Sequence, residues 1–164
     1  MNLDNDTIEI RPMVLEDLKD VYVIDRQIRA AGEAITYADV ATADIFAIDR
    51  DADQHKRPLS YIVGLLDLGF VAVINECISG YILGQIEHVG EKNEIASILI
   101  MGVHSDYKRQ GIASKLVEAI CGKFHSQGIT KVFLTIDQRD SELIDFAEHL
   151  GFAADHRIDY TKTL

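Results

Sequence analysis

From Glu94 to Ile136 the chain runs apolar ribbon, amphipathic helix, apolar ribbon, and that order leaves few folds open. Glu94 to Val103 is a nearly unbroken apolar strand pattern. Strict alternation sets Ile95, Leu99, Met101 and Val103 against Ala96, Ile98 and Ile100, so both faces need cover and the strand belongs in the middle of a sheet. From Ile112 to His125, Ile112, Leu116, Ile120 and Phe124 recur at helical spacing beside Ala113, Val117 and Cys121, and the stripe ends before Gly128. Val132 to Ile136 reads as the next strand. Strand, crossover helix and strand of this length form a βαβ unit with parallel strands, and a ligand is expected at the carboxyl end of the first.

The junction Val103-His104-Ser105-Asp106-Tyr107-Lys108-Arg109-Gln110-Gly111-Ile112-Ala113 falls at that end. The first N–H groups of a helix have no intrahelical partners, and a glycine lets the backbone come close, so the junction suits a phosphate. Lys108 and Arg109 add positive charge. Lys108-Arg109-Gln110-Gly111-Ile112-Ala113 resembles the acyl-CoA signature of the GCN5-related N-acetyltransferase (GNAT) family, Arg/Gln-x-x-Gly-x-Gly/Ala, with Lys108 in place of the usual Arg or Gln. The resemblance implies that the loop from Lys108 through Arg109, Gln110, Gly111, Ile112 and Ala113 to Ser114 grips the pyrophosphate of coenzyme A. It also implies that backbone groups of Met101, Gly102 and Val103 pair with the pantetheine arm, one amide facing the thioester carbonyl.

The order of elements extends the resemblance. Thr7 to Arg11 alternates as a strand, and Leu18, Val21, Ile24 and Ile28 recur at helical spacing after Glu16-Asp17. The pattern weakens between Gly32 and Leu68, with a helix expected after Pro58. Phe70 to Ile74 and Ile78 to Glu87 read as a hairpin around Asn75-Glu76-Cys77. A last helix carries Leu143, Ile144, Phe146, Ala147 and Leu150, then Gly151-Phe152 leads into terminal strands through Tyr160. The family's fold is therefore expected over residues 1–164 as one domain. It is an α/β (α+β) architecture: a central mixed, mostly antiparallel sheet, splayed between strands four and five, with about four flanking helices.

Charge and composition narrow the partners. A net charge of −11 argues against a nucleic-acid backbone, whose binding depends on Lys and Arg displacing counterions, and cationic partners are easier to accept, though excess carboxylates commonly serve only solubility and identify no substrate. Between Leu59 and Ile86, Asp67, Asn75, Glu76 and the glycines interrupt any run long enough to cross a membrane. The polar, acidic start lacks the pattern of a signal peptide, so the cytoplasm is expected. Cys77 and Cys121 read as buried, reduced thiols, and no ligand cluster suggests zinc.

Acyl transfer to an amine needs a neutral nucleophile, stabilisation of the oxyanion and a proton for the departing thiolate. Relatives often use a strand carboxylate as base, which makes Glu87 and Glu94 candidates, a solvated turn charge being the plainer reading of each. The family's usual acid is a Tyr four residues before the glycine of the Gly-Phe pair. Ala147 stands there, with Asp140 where an Asn is often found, either a helix cap or a cofactor contact. Tyr107 and Tyr160 are the substitutes for the acid, and solvent is another.

His104 reads as a surface-loop histidine, and Lys115, ahead of Lys123, suits the outlying phosphate of coenzyme A. Neither cysteine reads as a nucleophile. The expected activity is thus direct acetyl transfer from acetyl-CoA to a primary amine of a small molecule, peptide or protein, with no metal and no covalent enzyme intermediate. A non-catalytic acyl-CoA-binding module is the alternative. A different phosphate-binding domain ranks far behind, because Gly-x-x-x-x-Gly-Lys-Ser/Thr is absent. Tyr37, Asp44 and Phe46 lie in the stretch expected to shape the acceptor pocket, and oligomeric state stays open, though such domains often form homodimers.

Overall fold

The computed structural model describes residues 7–31, 35–36, 64–90, 93–155 and 162–164. Along the chain come β1 (Glu9–Pro12), α1 (Leu18–Ala30), β2 (Ile35–Thr36), β3 (Gly69–Ile74), β4 (Cys77–Val89), β5 (Asn93–Val103), α2 (Ile112–Ser126), β6 (Val132–Leu134) and α3 (Ser141–His149). Residues 64–66 are helical and belong to the stretch where a helix is expected after Pro58.

Asn75 and Glu76 both take left-handed backbone, φ 49° and 65°, as a two-residue turn between right-twisted strands requires, and they join β3 to β4. The sheet runs β1-β3-β4-β5, all antiparallel, and the outer edge of β5 carries two further strands. β6 lies parallel there, Ala96 opposite Val132 and Ile98 opposite Leu134, as the βαβ reading requires. β2 lies antiparallel further along, Ile35 opposite Met101 and Thr36 opposite Ile100. Pairing with β6 stops at Ile98 while β5 continues to Val103, which is the expected divergence of the two parallel strands.

The expected faces of β5 need correction. Leu83 pairs with Ile100 and Gly84 with Ile98, so Leu99 is an extra residue, a β-bulge. A bulge inverts the alternation beyond it. Ala96, Ile98, Met101 and Val103 all face α2, whereas Ile100 faces α1 with Leu99 packed beside it. A second bulge at Ser79, between the Ala72–Gly80 and Val73–Ile78 pairs, does the same to β4. There the buried Ser79 hydroxyl donates to the Ala72 carbonyl at 3.1 Å.

The two faces hold the two halves of the core. On one, Leu18, Val21, Ile24 and Ile28 of α1 pack on Val71, Tyr81, Leu83 and Ile100. On the other, Ile112, Leu116, Ile120 and Phe124 of α2 pack on Ala72, Ile82, Ile98 and Met101. Each fully buried side chain of this size contributes about 1.5–3 kcal/mol, so α2 is held to the sheet along its whole length. Gly84 makes that approach close: a β-carbon there would sit 2.5 Å from the Phe124 ring and 2.7 Å from Ile120.

Asp17 closes the short turn between β1 and α1, and its side chain is largely buried. Burial pulls its pKa up, but hydrogen bonds from the Arg11 guanidinium at 2.7 and 2.8 Å, the Val14 N–H at 2.8 Å and the Arg11 charge outweigh this and hold it below the usual value. Because the folded value is the lower one, the pair stabilises the fold above about pH 4 and the contribution is lost as pH falls through the folded pKa. Asp17→Asn is expected to cost about 1–2 kcal/mol at pH 7, a figure discounted for the partial exposure of Arg11. In urea titrations the gap from wild type should narrow as pH falls below about 4; a constant gap would refute the linkage.

Candidate functional site

β5 does not end abruptly at Val103. The His104 N–H still donates to the Ser79 carbonyl at 2.8 Å, which keeps the strand in register to its last residue. The His104 side chain then caps a short 3-10 turn, Ser105–Tyr107, its Nδ1 accepting from the Asp106 N–H at 3.2 Å. Tyr107 packs edge-on against the imidazole, with ring centres 5.9 Å apart. The expected surface histidine is thus a half-buried cap of the turn that delivers the chain to the loop.

In the loop, Arg109 has φ 63° and Gly111 φ 77°, with Gln110 in the ordinary negative region between them. Backbone that alternates in this way turns successive N–H groups towards one concavity, a geometry that binds anions. A non-glycine residue in the left-handed region costs on the order of 1 kcal/mol, and such strain tends to sit where function needs it. A β-carbon on Gly111 would meet no atom within 4 Å, so the glycine answers to its backbone angle and to open space in front of it.

No side chain caps α2 at Gly111, and the first helical bond is Lys115 N–H to the Gly111 carbonyl at 3.1 Å. The N–H groups of Ile112, Ala113 and Ser114 precede it and point out of the helix end. Lys108, Arg109, Gln110, Gly111 and Lys115 are exposed, and the first turn of α2 has no acidic residue to oppose an anion. The helix dipole adds a partial positive charge at the same end.

Strand geometry carries the site back into β5. Successive N–H and C=O groups point to opposite edges, so with His104 turned towards β4, Val103 and Met101 turn theirs to the outer edge. Gly102 between them is buried, its inner face against Tyr81 and Ile28. Met101, Gly102 and Val103, themselves buried, lead through the Ser105–Tyr107 turn to the loop from Lys108 to Ser114, so the ten named positions lie along one stretch of chain.

The other named positions do not join them. Glu87 and Glu94 are exposed at the hairpin end of β4 and β5, where Glu87 accepts from the Gln85 amide and Glu94 lies 3.0 Å from His88 Nδ1. Glu94 precedes Met101 by seven residues, about 23 Å along a strand, and Glu87 is opposite Ile95, about 20 Å away. A recess of about 380 Å³ at that end is lined by His88, Asn93, Glu94, Thr130 and Lys131, far from the loop. Tyr160, Tyr37, Asp44 and Phe46 lie outside the described residues.

Asp140 caps α3 by accepting from the Leu143 N–H at 3.0 Å, the first of its two readings. Ala147 is buried in the core, its carbonyl accepting from the Phe152 N–H at 3.0 Å. Lys123 pairs with Asp67 at 3.4 Å. Burial raises the pKa of Cys121, as befits a packed thiol, but Cys77 is exposed on the hairpin instead of buried as expected. Among the described residues, no group of His, Cys, Asp and Glu could hold a metal ion, and no helix is long and apolar enough to cross a membrane.

Sequence reasoning missed a buried polar chain behind the site. The Tyr81 hydroxyl donates to Asp25 at 2.6 Å, and Asp25 accepts from Arg29 at 2.9 Å one turn along α1. The i, i+4 spacing of Asp25 and Arg29 was the available signal; the link to Tyr81, 56 residues away, had none.

Residues 35–152 match the family described as acetyltransferase (GNAT) family. No curated protein sequence matches the chain. Solved structures share the fold at low identity. An aminoglycoside acetyltransferase, meta-AAC0020, from an uncultured soil metagenomic sample superposes with a TM-score of 0.66 at 21% identity, covering 96% of both chains. The aminoglycoside N-acetyltransferase AAC(6')-Iy in complex with CoA gives 0.71 at 13% identity over 99% of each. A ribosomal-protein-alanine N-acetyltransferase from Brucella melitensis biovar Abortus 2308 gives 0.65 at 16%, covering 95% of this chain and 99% of that one.

Proposed function

Because the chain belongs to the acetyltransferase (GNAT) family and is an acyl-CoA-dependent N-acyltransferase, we propose that it moves an acetyl group from acetyl-CoA directly to a primary amine, both held at the outer edge of β5 past the end of its pairing with β6. One observation carries this reading: the strained, glycine-hinged loop from Lys108 to Ser114 aims its backbone donors at one point, at the end of a strand whose outer edge β6 has left. The diphosphate of the carrier would lie on those donors and its arm would run back along Val103 and Met101. Coenzyme A in the complex with AAC(6')-Iy supports the choice of carrier.

At the reacting end, the amine nitrogen attacks the thioester carbonyl while an outer-edge N–H of β5 stabilises the oxyanion, and collapse expels the thiolate. Holding both reactants together can lower the barrier by roughly 7–11 kcal/mol, so strong acid and base groups are not required. The distances of Glu87 and Glu94 from Met101 support proton release to water. Glu87→Gln and Glu94→Gln should therefore each keep kcat/KM within about threefold of wild type, under 1 kcal/mol of barrier. A loss of a hundredfold or more at either would reinstate it as the base.

The acceptor we propose is a cationic small-molecule amine, for which the net charge of −11 and the aminoglycoside acetyltransferases among the structural neighbours are the support. The test is to incubate the protein with acetyl-CoA and a mixed panel of aminoglycosides, polyamines and peptides, following thiol release and identifying acetylated products by mass spectrometry. The buried Ala147 favours one other reading, a module that binds acyl-CoA without turnover. Tight binding with no thiol release across the panel would establish it.

A further inference from the structure

The outer edge of β5 has two claimants. β2 pairs antiparallel with it, Ile35 opposite Met101 and Thr36 opposite Ile100. Met101 turns its N–H and C=O to that edge, as the inward-pointing N–H of His104 three residues on dictates. In an antiparallel pair the residue opposite such a position exchanges both backbone bonds with it, so Ile35 takes the donor and acceptor of Met101. An acyl-CoA arm running back from the Lys108–Ser114 loop along Val103 meets β2 at Met101. A peptide strand and an amide-bearing arm cannot bond the same N–H and C=O.

We propose that β2 is a displaceable strap, holding the edge of β5 at Met101 until acyl-CoA takes its place; this rests on the acyl-CoA reading above. β6 occupies Ala96 to Ile98 on the same edge, and β2 follows directly at Ile100, so neither strand leaves room for a third pairing between them. β2 is also only two residues long, and such a pairing yields more readily than the ladder of ten residue pairs on the opposite side of β5. Binding of the carrier therefore pays for release of the strap, and its apparent affinity is lowered by the fraction of molecules in which the strap is closed.

Hydrogen–deuterium exchange on the full chain, with and without saturating acetyl-CoA, tests this. The expected result is gained protection at Lys108 to Lys115 together with lost protection at Ile35, whose N–H is the one β2 donates to β5. If the loop is protected while Ile35 is unchanged or better protected, the strap is refuted and the acyl-CoA reading stands. If the loop is not protected, that reading fails and the strap with it. A second arm uses Ile35→Pro, which removes the N–H that β2 donates. Acetyl-CoA should bind this variant about three- to tenfold more tightly, since the competing state is weakened. Equal or weaker binding would overturn the proposal.

Discussion

Gly111→Val is expected to weaken acetyl-CoA binding about a hundredfold, while Lys108→Ala should weaken it only about three- to tenfold. The difference follows from what each residue supplies. Gly111 holds φ 77°, which a β-branched residue resists, and the space in front of it is open. Valine would turn the first N–H groups of α2 away from their common point and put two methyl groups where a phosphate must approach. Loss of one or two hydrogen bonds to a charged group amounts to about 3 kcal/mol, which is the hundredfold. Lys108 is exposed and contributes a screened surface charge. Titration calorimetry decides it, with circular dichroism as the control for folding. Equal tolerance at the two positions would sink the assignment of the loop.

Gly84→Val should lower the stability of the whole domain by about 3 kcal/mol, because it overpacks the contact that seats α2 on the sheet. The new β-carbon would lie 2.5 Å from the Phe124 ring, 2.7 Å from Ile120 and 3.0 Å from the Ser97 carbonyl. Side chains at the first two are fully buried and the third is backbone, so the helix itself must move. For a chain of this size that corresponds to a fall in melting temperature of roughly 6–12 °C. The loop rides on the other end of α2, so acetyl-CoA affinity should fall as well, though by less than in Gly111→Val. A melting temperature within a degree of wild type would show that the helix has slack the structure does not suggest.

Much of the frame was legible in local pattern. The helical stripes Leu18-Val21-Ile24-Ile28 and Ile112-Leu116-Ile120-Phe124 are buried as read, because an amphipathic helix has one apolar face and it must go inward. The parallel pairing of β5 with β6 was implied by the crossover length. The faces of β5 were misread beyond Ile98. Alternation is a local rule, and a bulge at Leu99 leaves no mark in a run where every residue is apolar. Cys77 was misjudged for a related reason: an apolar neighbourhood in sequence says nothing of a turn that lifts the thiol into solvent.

By itself the sequence determined the layered fold and placed the glycine-bearing turn at the strand-to-helix junction proposed here to bind an anion, since these rest on periodicity, on glycine and on the unpaired donors of a helix end. Only the tertiary structure decided which edge of β5 is shared, that Tyr81 and Asp25 meet behind it, and that Glu87 and Glu94 stand some 20 Å from Met101. Those are relations between distant segments. They depend on strand register and bulges, which long-range packing selects and which no short window of residues records.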